Sequence, residues 1–158
     1  LFGFSDGGTT AYRLGAADKN IEKIITVGAE WHKKHLDGVR PMFEAINSGF
    51  VKENLPEKLA AYQAANPEPD AEKWAAALKA MWLDEGVSGY PNENIRQIQP
   101  PVLAIRGEAD FLLAFDDWAA LETELPEVHL MNVPFAAHEA IKEQPEIVWA
   151  AVRAFQVA

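Results

Sequence analysis

Two short, largely apolar runs, each closed by a glycine and the first of them β-branched, constrain this chain more than any other feature. They are Lys23-Ile24-Ile25-Thr26-Val27-Gly28 and Pro101-Val102-Leu103-Ala104-Ile105-Arg106-Gly107. Apolar runs of this length with no polar alternation suit a parallel strand buried on both faces. Val128-His129-Leu130-Met131-Asn132-Val133 has the same form with more alternation. Leu1 and Phe2 read as the end of another buried strand that enters a Gly-rich turn. Helical patterns lie between these runs. One is rich in small residues, from Gly8 to Ala17. A second spans Asp116 to Leu125, with Asp116 or Asp117 as N-cap and Pro126 just beyond it. The third starts at Pro145 and places Ile147, Val148, Ala151, Val152 and Phe155 on one face. Strands alternating with helices predict an α/β fold around a mostly parallel sheet.

Between Asp37 and Gln99 the pattern changes. Val39, Met42, Phe43 and Ile46 share one helical face, and Leu55, Leu59 and Tyr62 share another. Trp74, Ala77, Leu78, Met81 and Trp82 form a third, with Asp70 as its candidate N-cap. Asn66-Pro67-Glu68-Pro69 and Tyr90-Pro91-Asn92 break the stretch with turn signals, and nothing in it reads as a strand. The expected organisation is an α/β core over 1–38 and 99–158 with an all-helical cap over 39–98.

Composition narrows the function classes. With a net charge of -10 and a pI near 4.8, the chain is a poor match for nucleic acid or anionic lipid, both of which attract basic surfaces. It has no cysteine, which excludes disulfides, thiolate metal sites and cysteine nucleophiles and suits a reducing cytoplasm, the expected compartment. No stretch reaches the roughly 20 apolar residues that span a bilayer.

The chemistry concentrates in three places. Gly3-Phe4-Ser5-Asp6-Gly7 matches G-x-S-x-G, with an apolar strand end before it and a helix-compatible run after it. In that context the serine occupies a strained turn near a helix N-terminus, where oriented N–H groups stabilise developing negative charge. A structural or phosphate-binding βα turn fits the same residues. A serine needs a base and a group that orients the base. Asp110 lies three residues past Gly107, just beyond a buried-type strand, with Glu108 as its rival and Glu30 as a weaker one. His138 follows the next strand in Phe135-Ala136-Ala137-His138-Glu139, where small neighbours leave room for an imidazole to turn. His129 alternates within a strand. His32 and His35 are three apart but lack the further ligands that a zinc site needs.

GFSDGG, then RGEAD after a strand, then PFAAHEAIKEQPEIVWAAVRAF resembles the α/β-hydrolase superfamily over roughly residues 1–38 and 99–158. The resemblance implies a partial α/β-hydrolase fold, mostly parallel, with a helical cap. It implies Ser5 as nucleophile, His138 as general base and then acid, and Asp110 as the carboxylate orienting it. The backbone N–H of Asp6 would be an oxyanion-hole donor. Hydrolysis of a small carboxylic ester through an acyl-serine follows, with no cofactor or metal. A C–C-bond hydrolase, a haloperoxidase-like enzyme, or a non-catalytic binding protein that retains the triad are the alternatives. Trp31 and Phe111, each just past a strand end, are pocket candidates, as are Trp74 and Trp82 of the cap. In this family the first strands and the second oxyanion donor precede the elbow. The chain is therefore expected to have half an oxyanion hole and one open strand edge. The partners to expect are an ester-like small molecule and either the missing N-terminal half or a second copy of the chain.

Overall fold

The computed structural model describes residues 1–158, which divide into two units, Leu1–His35 with Tyr90–Ala158, and Leu36–Gly89. In the first unit, β1 (Phe2–Phe4) runs into α1 (Asp6–Ala17), and β2 (Ile24–Val27) follows. In the second, α2 (Arg40–Glu44), α3 (Ser48–Asn54), α4 (Pro56–Ala65) and α5 (Ala71–Trp82) succeed one another with no strand. The first unit resumes with a 3-10 turn at Asn92–Gln97 and β3 (Val102–Gly107). Then come α6 (Phe115–Ala119), α7 (Leu121–Glu124), β4 (Val128–Val133), α8 (Ala140–Glu143) and α9 (Pro145–Val157). No helix is long and apolar enough to cross a membrane.

The sheet has the order β1-β2-β3-β4 and every pair is parallel. All four strands therefore end at the same edge, with Phe4, Val27 and Gly107 leading into the loops there. Period-two alternation splits the strand residues between two cores. Ile24, Val102 and Ala104 join Ala11, Tyr12, Trp118, Leu121 and Leu125. Ile25, Val27, Leu103, Ile105 and Val133 join Ala140, Val148, Val152 and Phe155. Helices α1, α6 and α7 thus cover one face and α8 and α9 the other, which explains why the central strands carry no polar alternation. Thr26 is the exception inside β2, and its hydroxyl bonds the buried Tyr12 hydroxyl at 2.7 Å. Burial pushes the Tyr12 phenol well above its ordinary value.

Several local expectations are revised. The helix expected over Asp116 to Leu125 is two short ones meeting at Ala120, and neither Asp caps it, because Ala114 occupies the N-cap position. The break lets Trp118 donate its Nε1–H to the Ala104 carbonyl at 3.2 Å while Leu121 and Leu125 pack separately. The Asp117 carboxylate faces His35 instead, with Oδ1 3.2 Å from its Nε2, and the Asp117 backbone carbonyl accepts the Trp31 Nε1–H. Leu1 and Phe2 belong to or adjoin a strand but remain about half exposed, since β1 pairs only with β2. Phe2 stacks on Trp149 at 5.6 Å. Ile147 is exposed rather than buried, and Val148, Val152 and Phe155 form the inward stripe of α9.

The second unit has its own small core of Ile46, Val51, Leu59 and Ala75, with Phe43, Tyr62, Trp74 and Trp82 packed around it. Asp70 caps α5 by accepting from the Glu72 and Lys73 N–H groups, each at 3.0 Å.

Candidate active site

The site begins where β1 stops. Ser5 has φ 53 and ψ -124, a left-handed conformation that costs a non-glycine residue energy and needs surrounding structure to enforce it. Three bonds do so: its N–H donates to the Val27 carbonyl at 2.8 Å, and its own carbonyl accepts from Gly8 and Thr9. The turn is so tight that a Cβ on Gly3 would collide with the Gly7 carbonyl. Ser5 therefore stands on a sharp strand-to-helix corner, and Asp6 opens the 12-residue α1 immediately after it.

Asp110 and His138 reach the same edge from the loops after β3 and β4. His138 Nε2 is 3.0 Å from Ser5 Oγ. Its Nδ1 is 3.0 Å from Asp110 Oδ2 and 3.1 Å from Oδ1. The Asp110 carboxylate is fully buried, and its Oδ1 also accepts the N–H groups of Leu112 at 2.9 Å and Leu113 at 3.2 Å. Hydroxyl, imidazole and carboxylate thus form a continuous chain of hydrogen bonds. Phe4 tilts against the His138 ring at 5.1 Å between centroids. The two other candidate acids point elsewhere. Glu108 Oε2 accepts the Phe135 N–H at 3.0 Å, and Glu30 Oε2 lies 2.6 Å from His35 Nδ1.

Two residues that sequence reasoning passed over shape this arrangement. Gly28, at φ 59, closes β2, and a Cβ there would lie 2.9 Å from His138 Nδ1 and 3.1 Å from Asp110 Oδ2. Any side chain at this position would push the imidazole and carboxylate apart, so a glycine closing the strand was the available signal. Glu143 reaches back from α8 and accepts the N–H groups of Ala137 at 2.8 Å and Glu139 at 3.1 Å. It thereby pins the backbone on both sides of His138. The sequence marks it only as an acidic residue near a helix.

The pocket candidates divide. Phe111 is 67% exposed and its ring centroid is 6.3 Å from that of His138, so it stands open beside the site. Trp31 does not. Its ring is 2% exposed within the core, and its Nε1–H donates to the Asp117 carbonyl at 2.8 Å. The indole hydrogen bond and the apolar neighbours hold it inward, which corrects its expected place at an open wall. Trp74 stacks on Tyr62 and Trp82 tilts against Phe43, both within the second unit. His32 lies 3.3 Å from Glu93. His129 packs edge-on against Phe155.

A second buried cluster of ionisable groups lies in the same unit. His35 stands between Glu30 and Asp117, with its Nε2 3.2 Å from Asp117 Oδ1 but without hydrogen-bond geometry. Burial holds the Glu30 carboxyl above its ordinary value, against the opposing hydrogen bond from His35.

No protein-family model and no curated protein matches the sequence. Solved structures do match the fold. An α/β-hydrolase fold protein from Chitinophaga pinensis is 23% identical with a TM-score of 0.67, over 98% of this chain and 63% of its own. A serine hydrolase involved in carbazole degradation is 22% identical with a TM-score of 0.67, over 99% and 62%. The enol-lactonase of Burkholderia xenovorans is 18% identical with a TM-score of 0.65, over 99% and 65%. The chain therefore spans somewhat less than two thirds of each neighbour, and over that span it has the α/β-hydrolase fold.

Proposed function

We propose that this chain carries the catalytic residues of a serine hydrolase that cleaves small carboxylic esters. The observation carrying the reading is the line from Ser5 Oγ through both nitrogens of His138 to the buried Asp110 carboxylate, 3.0 Å at each step. Chemically, a serine hydroxyl becomes an effective nucleophile when a base can take its proton during attack. His138 Nε2 is that base. Asp110, accepting the Nδ1–H, selects the tautomer that leaves Nε2 free to accept and stabilises the imidazolium formed.

In the first half-reaction Ser5 Oγ bonds to the ester carbonyl carbon while its proton passes to His138 Nε2. The tetrahedral oxyanion faces the start of α1, where the Asp6 backbone N–H serves as one donor. Collapse breaks the bond to the alcohol oxygen, which leaves with the proton from His138. In the second half-reaction a water gives its proton to His138 as it attacks the acyl-serine, and the carboxylic acid departs as Ser5 recovers its proton. Phe111 forms an apolar flank for the substrate, and structural neighbours that include a serine hydrolase and a lactonase support the reaction class.

The test is direct. In the intact protein, a fluorophosphonate probe should label Ser5, and Ser5→Ala should abolish labelling and p-nitrophenyl ester turnover with the circular dichroism unchanged. Loss of the nucleophile removes several orders of magnitude, so a residual rate above about a tenth of wild type rejects the assignment. Turnover of diketones in place of esters would move the reading to C–C-bond cleavage.

A further inference from the structure

Arg106 is a charged residue in an otherwise apolar strand, and it is only 5% exposed. A buried guanidinium is costly unless its donors are satisfied. Here its partners are three backbone carbonyls and one side-chain amide. Nε donates to Leu113 O at 2.7 Å, Nη1 to Glu108 O at 3.0 Å and Nη2 to Asp110 O at 3.2 Å. Nη1 also donates to Asn132 Oδ1 at 3.0 Å, and Asn132 is the β4 residue in register with Arg106. The Phe115 ring lies 5.9 Å from the guanidinium carbon. Three carbonyls from one irregular loop thus converge on a single rigid plane. That loop holds Asp110.

We infer that Arg106 is the positioning residue for Asp110, and that its guanidinium fixes where the carboxylate stands against His138. The inference rests on the triad reading above. Its physical content is a shared residue. Leu113 gives its N–H to Asp110 Oδ1 and its carbonyl to Arg106 Nε. Asp110 likewise receives Arg106 at its backbone oxygen while its carboxylate receives His138. The guanidinium therefore fixes the peptide planes at residues 110 and 113, and those planes set the direction of the Asp110 side chain and of the N–H groups that hold it. A lysine would keep the charge but not the planar fork that reaches several carbonyls at once.

Arg106→Met and Arg106→Lys, made in the intact protein, test this. Fluorophosphonate titration counts competent sites, so kcat can be expressed per folded, labelled molecule. We expect kcat to fall about tenfold to a hundredfold in both variants with KM unchanged, the size of effect that a small misplacement of a reacting group produces. The downfield proton resonance of the His138 Nδ1–H should shift or broaden. A residue that only held the fold together would lower the number of competent sites and leave kcat per site and that resonance alone. Wild-type kcat per site in either variant overturns the inference. Should Arg106→Met not fold, Arg106→Lys together with Asn132→Ala decides. Unchanged kcat and an unchanged proton resonance in both would overturn it too. If the wild-type protein is not labelled at Ser5, the triad reading itself fails and this inference falls with it.

Discussion

Two carboxylates two positions apart, Glu108 and Asp110, receive entirely different partners. Asp110 is turned inward onto His138 and the Leu112 and Leu113 amides, whereas Glu108 holds Phe135 in its left-handed conformation at φ 61. Spacing alone left both open as the acid, because either can follow a strand end. The difference predicts opposite outcomes for isosteric changes. Asp110→Asn should favour the wrong His138 tautomer and lower kcat by about 10⁴-fold. Glu108→Gln keeps an acceptor for Phe135 and should stay within about tenfold of wild type, the scale of one hydrogen bond. Steady-state ester kinetics on the two variants compare them. A larger loss from Glu108→Gln would mean that the acid has been misassigned.

Among the elements, those with a strong local signal formed where their residues indicated. Helix α5 starts at Ala71 because the Asp70 carboxylate accepts two N–H groups that the helix itself leaves unbonded. Asp70→Ala should therefore cost ~1 kcal/mol, and faster amide exchange at Glu72 and Lys73 would localise the loss to that cap. Unchanged exchange at both amides would show that the cap contributes nothing. The stretch expected as one helix from Asp116 behaved differently. Its aspartates resemble caps in isolation, but the Asp117 carboxylate faces His35, and the chain breaks at Ala120 while Trp118 reaches the sheet. Tertiary partners overrode a local preference worth less than they are.

For the molecule as a whole, the buried Glu30 carboxyl gives stability a pH dependence. Burial raises the Glu30 carboxyl above 4.5, so the folded state holds that proton more tightly than the unfolded chain does. The resulting stabilisation is fully present below about 4.5 and is lost as the pH rises through the raised folded value. Its Oε1 has no hydrogen-bond partner, which makes the ionised form costly to bury. Glu30→Gln removes the titration. The variant should accordingly gain in melting temperature relative to wild type over the range from about pH 4.5 upward, as the wild-type carboxyl is forced to ionise. Parallel melting curves for the two proteins across that range would contradict the assignment.

The sequence by itself determined the parts whose information is confined to a few adjacent residues. Short, largely apolar runs closed by a glycine specify buried parallel strands, G-x-S-x-G between a strand and a small-residue run specifies a sharp corner, and Pro145 with its apolar stripe specifies α9. Ser5, Asp110 and His138 were legible because each follows its own strand end, and in a parallel sheet all strand ends share one edge. Tertiary structure alone decided the pairings between distant residues. Whether Trp31 faces inward, whether Gly28 leaves room for His138, and which carbonyls gather on Arg106 depend on strand register and loop path. Those are set by packing across as many as 110 positions, from Gly28 to His138. No local pattern of propensity or spacing extends that far, so these contacts became readable only once the sheet had brought the strand ends together.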